Sequence, residues 1–179
     1  MKTPSIFVGK KITLKKLQES FFEEYHQQFS PIVRQRLHLP LTASFKETCD
    51  FLKKQITLVD AGRSLFFCVF DNQDKKLIGA LEIREPTHIH GQLGAWINEH
   101  YWGGGRYQEA LLFVVRLYFE QTNNPDIFIF VDSDNIRSVK AHEKIGFKIA
   151  ETFVMNHRES CCLGKTLHRM VCQRHDVLN

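Results

Sequence analysis

The sequence predicts an α/β (α+β) fold: a mixed, mostly antiparallel central sheet of about six to seven strands flanked by about four helices. Three observations carry this. Leu65 to Phe70 and Leu77 to Ile83 are apolar, β-favouring runs on either side of the turn-rich Asp71-Asn72-Gln73-Asp74, the pattern of an antiparallel hairpin. From Gln92 to Val154 the order is strand, helix, strand, helix, strand, and a crossover helix returns the chain in the same direction, so at least one pairing is parallel. The length, 179 residues, suits one domain spanning the chain, and 15 Phe imply an aromatic-rich core.

The elements run in order along the chain. Ile12-Thr13-Leu14 reads as a first strand, and Leu17, Phe21, Tyr25 and Phe29 recur at helical spacing until Ser30-Pro31 ends the helix. A second helix starts at Ser44, where Ser44-Phe45-Lys46-Glu47 has the capping-box pattern; Cys49, Leu52, Ile56 and Val59 form its buried stripe and Gly62 closes it. The hairpin and a strand from Gln92 to Ile97 come next, then Gly103-Gly104-Gly105 and a helix with Tyr107, Ala110, Leu111, Val114 and Tyr118 on one face. Asp126 to Val131 is a short apolar strand, Asn135 to Ile145 a helix, Phe147 to Val154 a strand, and Leu167 to Cys172 a last strand.

Composition excludes several classes of function. The net charge of +4 is modest and the basic residues are scattered, which does not make a nucleic-acid footprint. The longest apolar runs fall far short of the roughly 20 residues of a spanning helix, and Met1-Lys2-Thr3-Pro4 has no apolar signal region, so the cytoplasm is the expected location and no membrane is expected. Five cysteines without CxxC spacing fit reduced thiols, and no metal site is expected.

Three glycines between a strand and a helix place unblocked backbone N–H groups at a helix N-terminus, where the dipole favours negative charge: a phosphate cradle, or simply a turn. The pattern is neither GxxxxGK[ST] nor GxGxxG, which disfavours the common nucleotide folds. The segment from Gly94 to Leu111, GAWINEHYWGGGRYQEAL, resembles the strand-turn-helix segment of GNAT-type N-acetyltransferases, in which aromatic-Trp-Gly-x-Gly precedes a helix carrying Glu-Ala-Leu. About thirty residues on, Asn135-Ile136-Arg137-Ser138 followed by Glu143-Lys144-Ile145-Gly146-Phe147 is similar to the second coenzyme A segment of that superfamily. The resemblance is specific over residues 91 to 154 and is nearest to the ribosomal-protein N-terminal acetyltransferase branch.

That resemblance implies acetyl-coenzyme A as cosubstrate. It assigns the amides of Gly103, Gly104, Gly105, Arg106 and Tyr107 to the pyrophosphate and the backbone of Ala95, Trp96 and Ile97 to the pantetheine arm. It also assigns Asn135 to the thioester end and Ser138 to the pantetheine or phosphate region. Asn135 is also a good helix N-cap, and Gly146 a helix C-cap. Tyr107 departs from the small residue that the family usually has there, and its ring either crowds the pyrophosphate or points into the core.

Acetyl transfer to an amine needs a neutral nucleophile, stabilisation of the oxyanion and a proton for the leaving thiolate. The N–H of Trp96 or Ile97, in an irregular stretch of the third strand, is the expected oxyanion donor. His142 takes the place of the Tyr that often precedes the Glu-Lys pair and is the candidate acid, its alternative being a packing role. Glu82 is the candidate base, its alternative a solvated charge. The expected activity is N-acetylation of a primary amine, first a protein or peptide N-terminal α-amine; a polyamine or aminoglycoside acceptor, or a non-catalytic acyl-coenzyme A-binding module, are the alternatives. A monomer or homodimer is expected.

Overall fold

The computed structural model describes residues 5–88, 90–157 and 161–178. Its elements are β1 (Ile6–Val8), β2 (Ile12–Lys16), α1 (Phe22–Gln28), α2 (Pro31–Arg36), α3 (Phe45–Asp60), β3 (Ser64–Asp71), β4 (Leu77–Arg84) and β5 (His90–Ile97). After these come α4 (Arg106–Gln121), β6 (Asp126–Asp132), α5 (Ile136–Glu143), β7 (Lys148–Val154), β8 (Thr166–Gln173) and α6 (Arg174–Leu178). The strands form one sheet in the order β1-β2-β3-β4-β5-β6-β8-β7, antiparallel throughout except for β5 and β6.

The expected mixed sheet is therefore present, with eight strands rather than six to seven. The extra strand, β1, is three residues at the sheet edge with half-exposed side chains, too short for a two-residue period to show. Ser30-Pro31 ends α1 as expected, but it also starts α2: Ser30 Oγ accepts from the amide of Val33, and Pro31 occupies the first helical position, where its missing N–H costs nothing. The α3 capping box is complete, with Ser44 and Glu47 each accepting from the other's amide.

Each face of the sheet carries its own core. On one, α4, α5 and α6 cover Leu65, Phe67, Val69, Leu81, Ile83, Leu93 and Ile97, with Leu111, Val114 and Tyr118 of α4 pointing inward. On the other, α1, α2 and α3 cover Phe66, Cys68, Ala80 and Trp96 with Phe22, Tyr25, Val33 and Leu52. Alternation along β3, and along β4 except at the irregularity around Ile78, produces this, since both strands are buried on both faces.

The β5–β6 pair has a distinctive limit. The two strands pair only over His90, Gly91 and Gln92 with Asp126, Ile127 and Phe128, and beyond that they separate. Gly91 sits at the apex because the Tyr118 ring fills the space where a Cβ would stand, and the Tyr118 hydroxyl accepts its amide at 2.9 Å. The sheet thus opens as a wedge toward the C-terminal ends of β5 and β6.

Candidate active site

The backbone of β5 lines the wedge. The amide of Asn98 donates to Ile78 O at 2.8 Å, and β4 pairs with β5 in continuous register from Gly79–Ile97 to Arg84–Gln92. Alternation in an antiparallel ladder then turns Gln92, Gly94 and Trp96 toward β4 and Leu93, Ala95 and Ile97 toward the wedge. This corrects the expectation for Trp96: its amide belongs to the β4 ladder, so Ile97 and Ala95 are the strand donors that face the opening. The irregularity expected in this strand is likewise absent from its β4 side; it consists of the parting from β6. Trp96 contributes its side chain on the opposite face, edge-on to Tyr25 with its indole N–H on the Tyr25 hydroxyl at 3.2 Å.

The glycine turn lies past the end of β5. Gly103, Gly104 and Gly105 have φ of 87°, 62° and 80°, left-handed values that side chains resist, and Gly105 is the N-cap of α4. The amides of Arg106, Tyr107 and Gln108 in the first turn have no intrahelical acceptor, so the turn and the helix start together offer donors to an anion. The fit to a pyrophosphate rests on this backbone shape and on the wedge beside it.

Lys11, which local sequence patterns do not single out, completes the turn. Lys11 Nζ donates to Gly104 O, and the amides of Lys10 and Lys11 donate to the Glu109 carboxylate at 2.5 and 2.9 Å. The β1–β2 hairpin is thereby fastened to α4. In a planar trans peptide the C=O and the next N–H point in opposite directions. Lys11, holding Gly104 O, therefore turns the Gly105 N–H away from the hairpin. Behind the same turn, Arg106 Nε donates to the buried carboxylate of Asp71, and the Tyr101 hydroxyl donates to Asp74 at 2.8 Å. Burial raises the Asp71 pKa, but hydrogen bonds involving Asp74, Arg106 and the amides of Asp74 and Gln73 outweigh it and hold the group at about 2.

Across the wedge, Asn135 is the N-cap of α5 and accepts from the Ser138 amide at 3.3 Å, which leaves its side-chain NH2 without a partner among the described residues. Ser138 presents its carbonyl to His142 Nδ1 at 2.7 Å. His142 is fully buried, and its Nε2 meets the Tyr107 hydroxyl at 3.0 Å. Because a carbonyl can only accept, Nδ1 carries the hydrogen and Nε2 accepts from Tyr107. Burial pushes the His142 pKa down to about 4 against the raising effect of Ser138, so the ring is neutral and has no hydrogen left to give. The geometry takes the packing alternative for His142, and it sends the Tyr107 ring inward onto α5.

Glu82 does not have the solvated setting that was its alternative. It is 5% exposed, so it is not a solvated charge, and its oxygens accept from Arg84 Nε at 3.0 Å and Ser64 Oγ at 3.3 Å. It stands opposite Gly94, on the face covered by α1 to α3. At the end of α2, Cys161 Sγ approaches Leu37 O at 3.7 Å; within the stretch His157 to Lys165, expected to help wall the acceptor, residues 158–160 lie outside the described residues.

Comparison with known proteins bears on the family and the fold. The family profile described as the acetyltransferase (GNAT) domain matches residues 11–148. A spermidine N-acetyltransferase from Vibrio cholerae, solved with CoA and spermine, superposes with a TM-score of 0.79 at 20% identity, covering 96% of this chain and 100% of that one. RimL, a ribosomal-protein α-N-acetyltransferase, gives 0.80 at 18% identity, covering 94% and 93%. A ribosomal-protein-alanine acetyltransferase from Vibrio fischeri gives 0.80 at 15% identity, covering 97% and 99%. No curated protein sequence matches the chain significantly. With the family profile spanning most of the chain, from β2 through the glycine turn to the start of β7, the protein belongs to the GNAT acetyltransferases, enzymes that draw the acetyl group from acetyl-coenzyme A.

Proposed function

We propose that the chain is a single acetyltransferase domain that transfers the acetyl group of acetyl-coenzyme A to the N-terminal α-amine of a protein or peptide. The observation that carries this is the state of Glu82: the buried carboxylate beneath the acceptor side is engaged by Arg84 and Ser64, so it is no free base. An α-amine, with a pKa of about 8, presents a useful neutral fraction near pH 7, whereas a lysine-like amine at about 10 needs a base to deprotonate it.

In this reading the open edge of β5 receives the pantetheine arm along Ala95 and Ile97, in the manner of an added strand. The Ile97 amide faces the thioester oxygen, and the amides from Gly103 to Tyr107 hold the pyrophosphate. Asn135 offers its free NH2 from the other wall, with Ser138 beside it. His142 and Tyr107 brace α4 against α5, and solvent supplies the proton for the leaving thiolate. Most of the rate then comes from positioning and oxyanion stabilisation.

A polyamine acceptor is the second reading, since the same fold accommodates spermine in the Vibrio cholerae enzyme. The test is release of coenzyme A with three acceptors: a lysine-free peptide with a free N-terminus, a lysine peptide with a blocked N-terminus, and spermidine. The first should react fastest. Faster reaction of either of the others overturns the α-amine reading, and no release with any amine, with cofactor binding confirmed, points to a binding module.

A further inference from the structure

Two exposed arginines without carboxylate partners among the described residues stand on segments that meet beside the wedge, at the end of α2 and the start of α5. Arg137, in the first turn of α5, places its Cζ 3.1 Å above the ring of Trp102. Trp102 is itself fixed by its indole N–H on Ile97 O at 2.7 Å, at the end of β5. Arg36 is the last residue of α2, and just beyond it His38 Nε2 lies 2.7 Å from Asp132 Oδ2 at the end of β6. Both arginines are exposed, and among the described residues neither forms an ion pair or a hydrogen bond. The end of α2 meets the β6–α5 junction at His38 and Asp132, so the two cations stand on neighbouring segments, and burial, then the charge of Arg36, lower the Arg137 pKa.

The surrounding groups are already engaged. Asp132 lies 2.7 Å from His38 Nε2 and accepts the Asp134 amide at 2.9 Å, while Glu99 accepts from Ser30 Oγ at 2.5 Å. Arg34 is turned away, its Nε on Phe29 O at 3.2 Å and its guanidinium over the Phe29 ring. Asp134 is exposed nearby and is the one carboxylate left over at the α5 start among the described residues. An arginine stacked on an aromatic ring keeps its N–H edge free for a planar carboxylate, and two like charges held close gain from an anion placed between them.

We infer that Arg36 and Arg137 recognise a carboxylate on the acceptor, so that the preferred substrate is a peptide whose first few residues after the free α-amine include Asp or Glu. This rests on the α-amine reading above and narrows it. The arrangement also repels a polycationic acceptor, which would meet two guanidinium groups where it needs carboxylates.

The test compares peptides with a free N-terminal Ala or Ser that differ only in carrying Glu, Gln or Lys at the second to fourth positions. The Glu peptides should have kcat/KM roughly five- to tenfold above the Gln peptides, with Lys below both, and the gap should shrink as salt is raised because the pair is solvent-exposed. Arg36→Glu should reverse the order of the Glu and Lys peptides, and Arg36→Gln should remove the preference while leaving the KM for acetyl-coenzyme A unchanged. If Arg36→Gln raises the KM for acetyl-coenzyme A instead, the anion is a cofactor phosphate and the proposal is overturned. Equal reaction of all peptides overturns it while leaving the α-amine reading standing. Reaction of spermidine but of no peptide overturns both.

Discussion

The hydroxyl of Tyr107 donates to His142 Nε2 across 3.0 Å, tying the first turn of α4 to the last turn of α5. The resemblance read from the sequence marks both positions, a phenol where it implies a small residue and an imidazole where it often has a Tyr, and the structure joins them. The hydrogen on Tyr107 and the lone pair on His142 satisfy each other in a dry interface, so removing either leaves the other unpaired there.

Replacing His142 by Phe removes the acceptor and strands the Tyr107 hydroxyl. The expected cost is about 1–3 kcal/mol, read as a lower urea midpoint, with turnover at saturating substrates changed by no more than a few-fold. The double variant Tyr107→Phe/His142→Phe should lose less stability than the sum of the single ones. A hundredfold or greater loss of turnover in folded, cofactor-binding His142→Phe would show instead that His142 delivers the proton.

The same histidine makes stability depend on pH. Its pKa falls from 6.5 to about 4 on folding, chiefly through burial, so between those values the unfolded chain binds more protons than the folded one. The contribution is complete above pH 6.5 and is lost as pH drops toward 4, the whole difference being on the order of 3 kcal/mol. Unfolding curves across this window should be steeper in pH for the wild type than for His142→Phe. Parallel curves would mean that the ring titrates alike in both states.

At the phosphate cradle, Lys11→Met should raise the KM for acetyl-coenzyme A while sparing kcat, because the Gly104–Gly105 peptide loses the cation that holds its N–H outward; Lys11→Arg should restore much of the effect. Gly105→Ala should act on the same parameter. Its φ of 80° costs a side chain about 1 kcal/mol, and the new Cβ would lie 3.0 Å from Lys11 Nζ. An unchanged KM in both variants would place the pyrophosphate elsewhere.

Much of this was legible in the sequence, and the remainder was hidden for physical reasons. The hairpin, the glycine turn, the α5 cap and the crossover announced themselves through local chemistry: turn residues, capping residues and apolar periods. Lys11, Asp71 and Arg36 did not, because each acquires its place from residues far along the chain, and a charged side chain near a turn looks like any solvated charge until the fold brings its partner. Trp96 and Ile97 were indistinguishable by type. Only the ladder register, set by Asn98 on Ile78, decides which amide faces the wedge. His142 and Glu82 show the converse limit, since burial and existing partners, invisible in a sequence, change what a titratable residue can do.

The Asp71–Arg106 pair tests how firmly the cradle is braced from behind. Asp71 is 1% exposed and accepts from the amides of Gln73 and Asp74 as well as from Arg106, whose side chain is 25% exposed. Asn at this position keeps the shape and one acceptor oxygen but removes the charge that Arg106 faces. Breaking a buried pair by removing one partner typically costs 3–5 kcal/mol; with Arg106 still reached by water, about 1–3 kcal/mol is expected for Asp71→Asn. Arg106 opens α4, so its release should also loosen the first turn and raise the KM for acetyl-coenzyme A several-fold, leaving the KM for the acceptor alone. Loss of stability without any change in cofactor KM would make the pair a hairpin clasp with no part in holding the cradle. A change in acceptor KM alone would mean that the turn behind β3 and β4 serves the other side of the wedge.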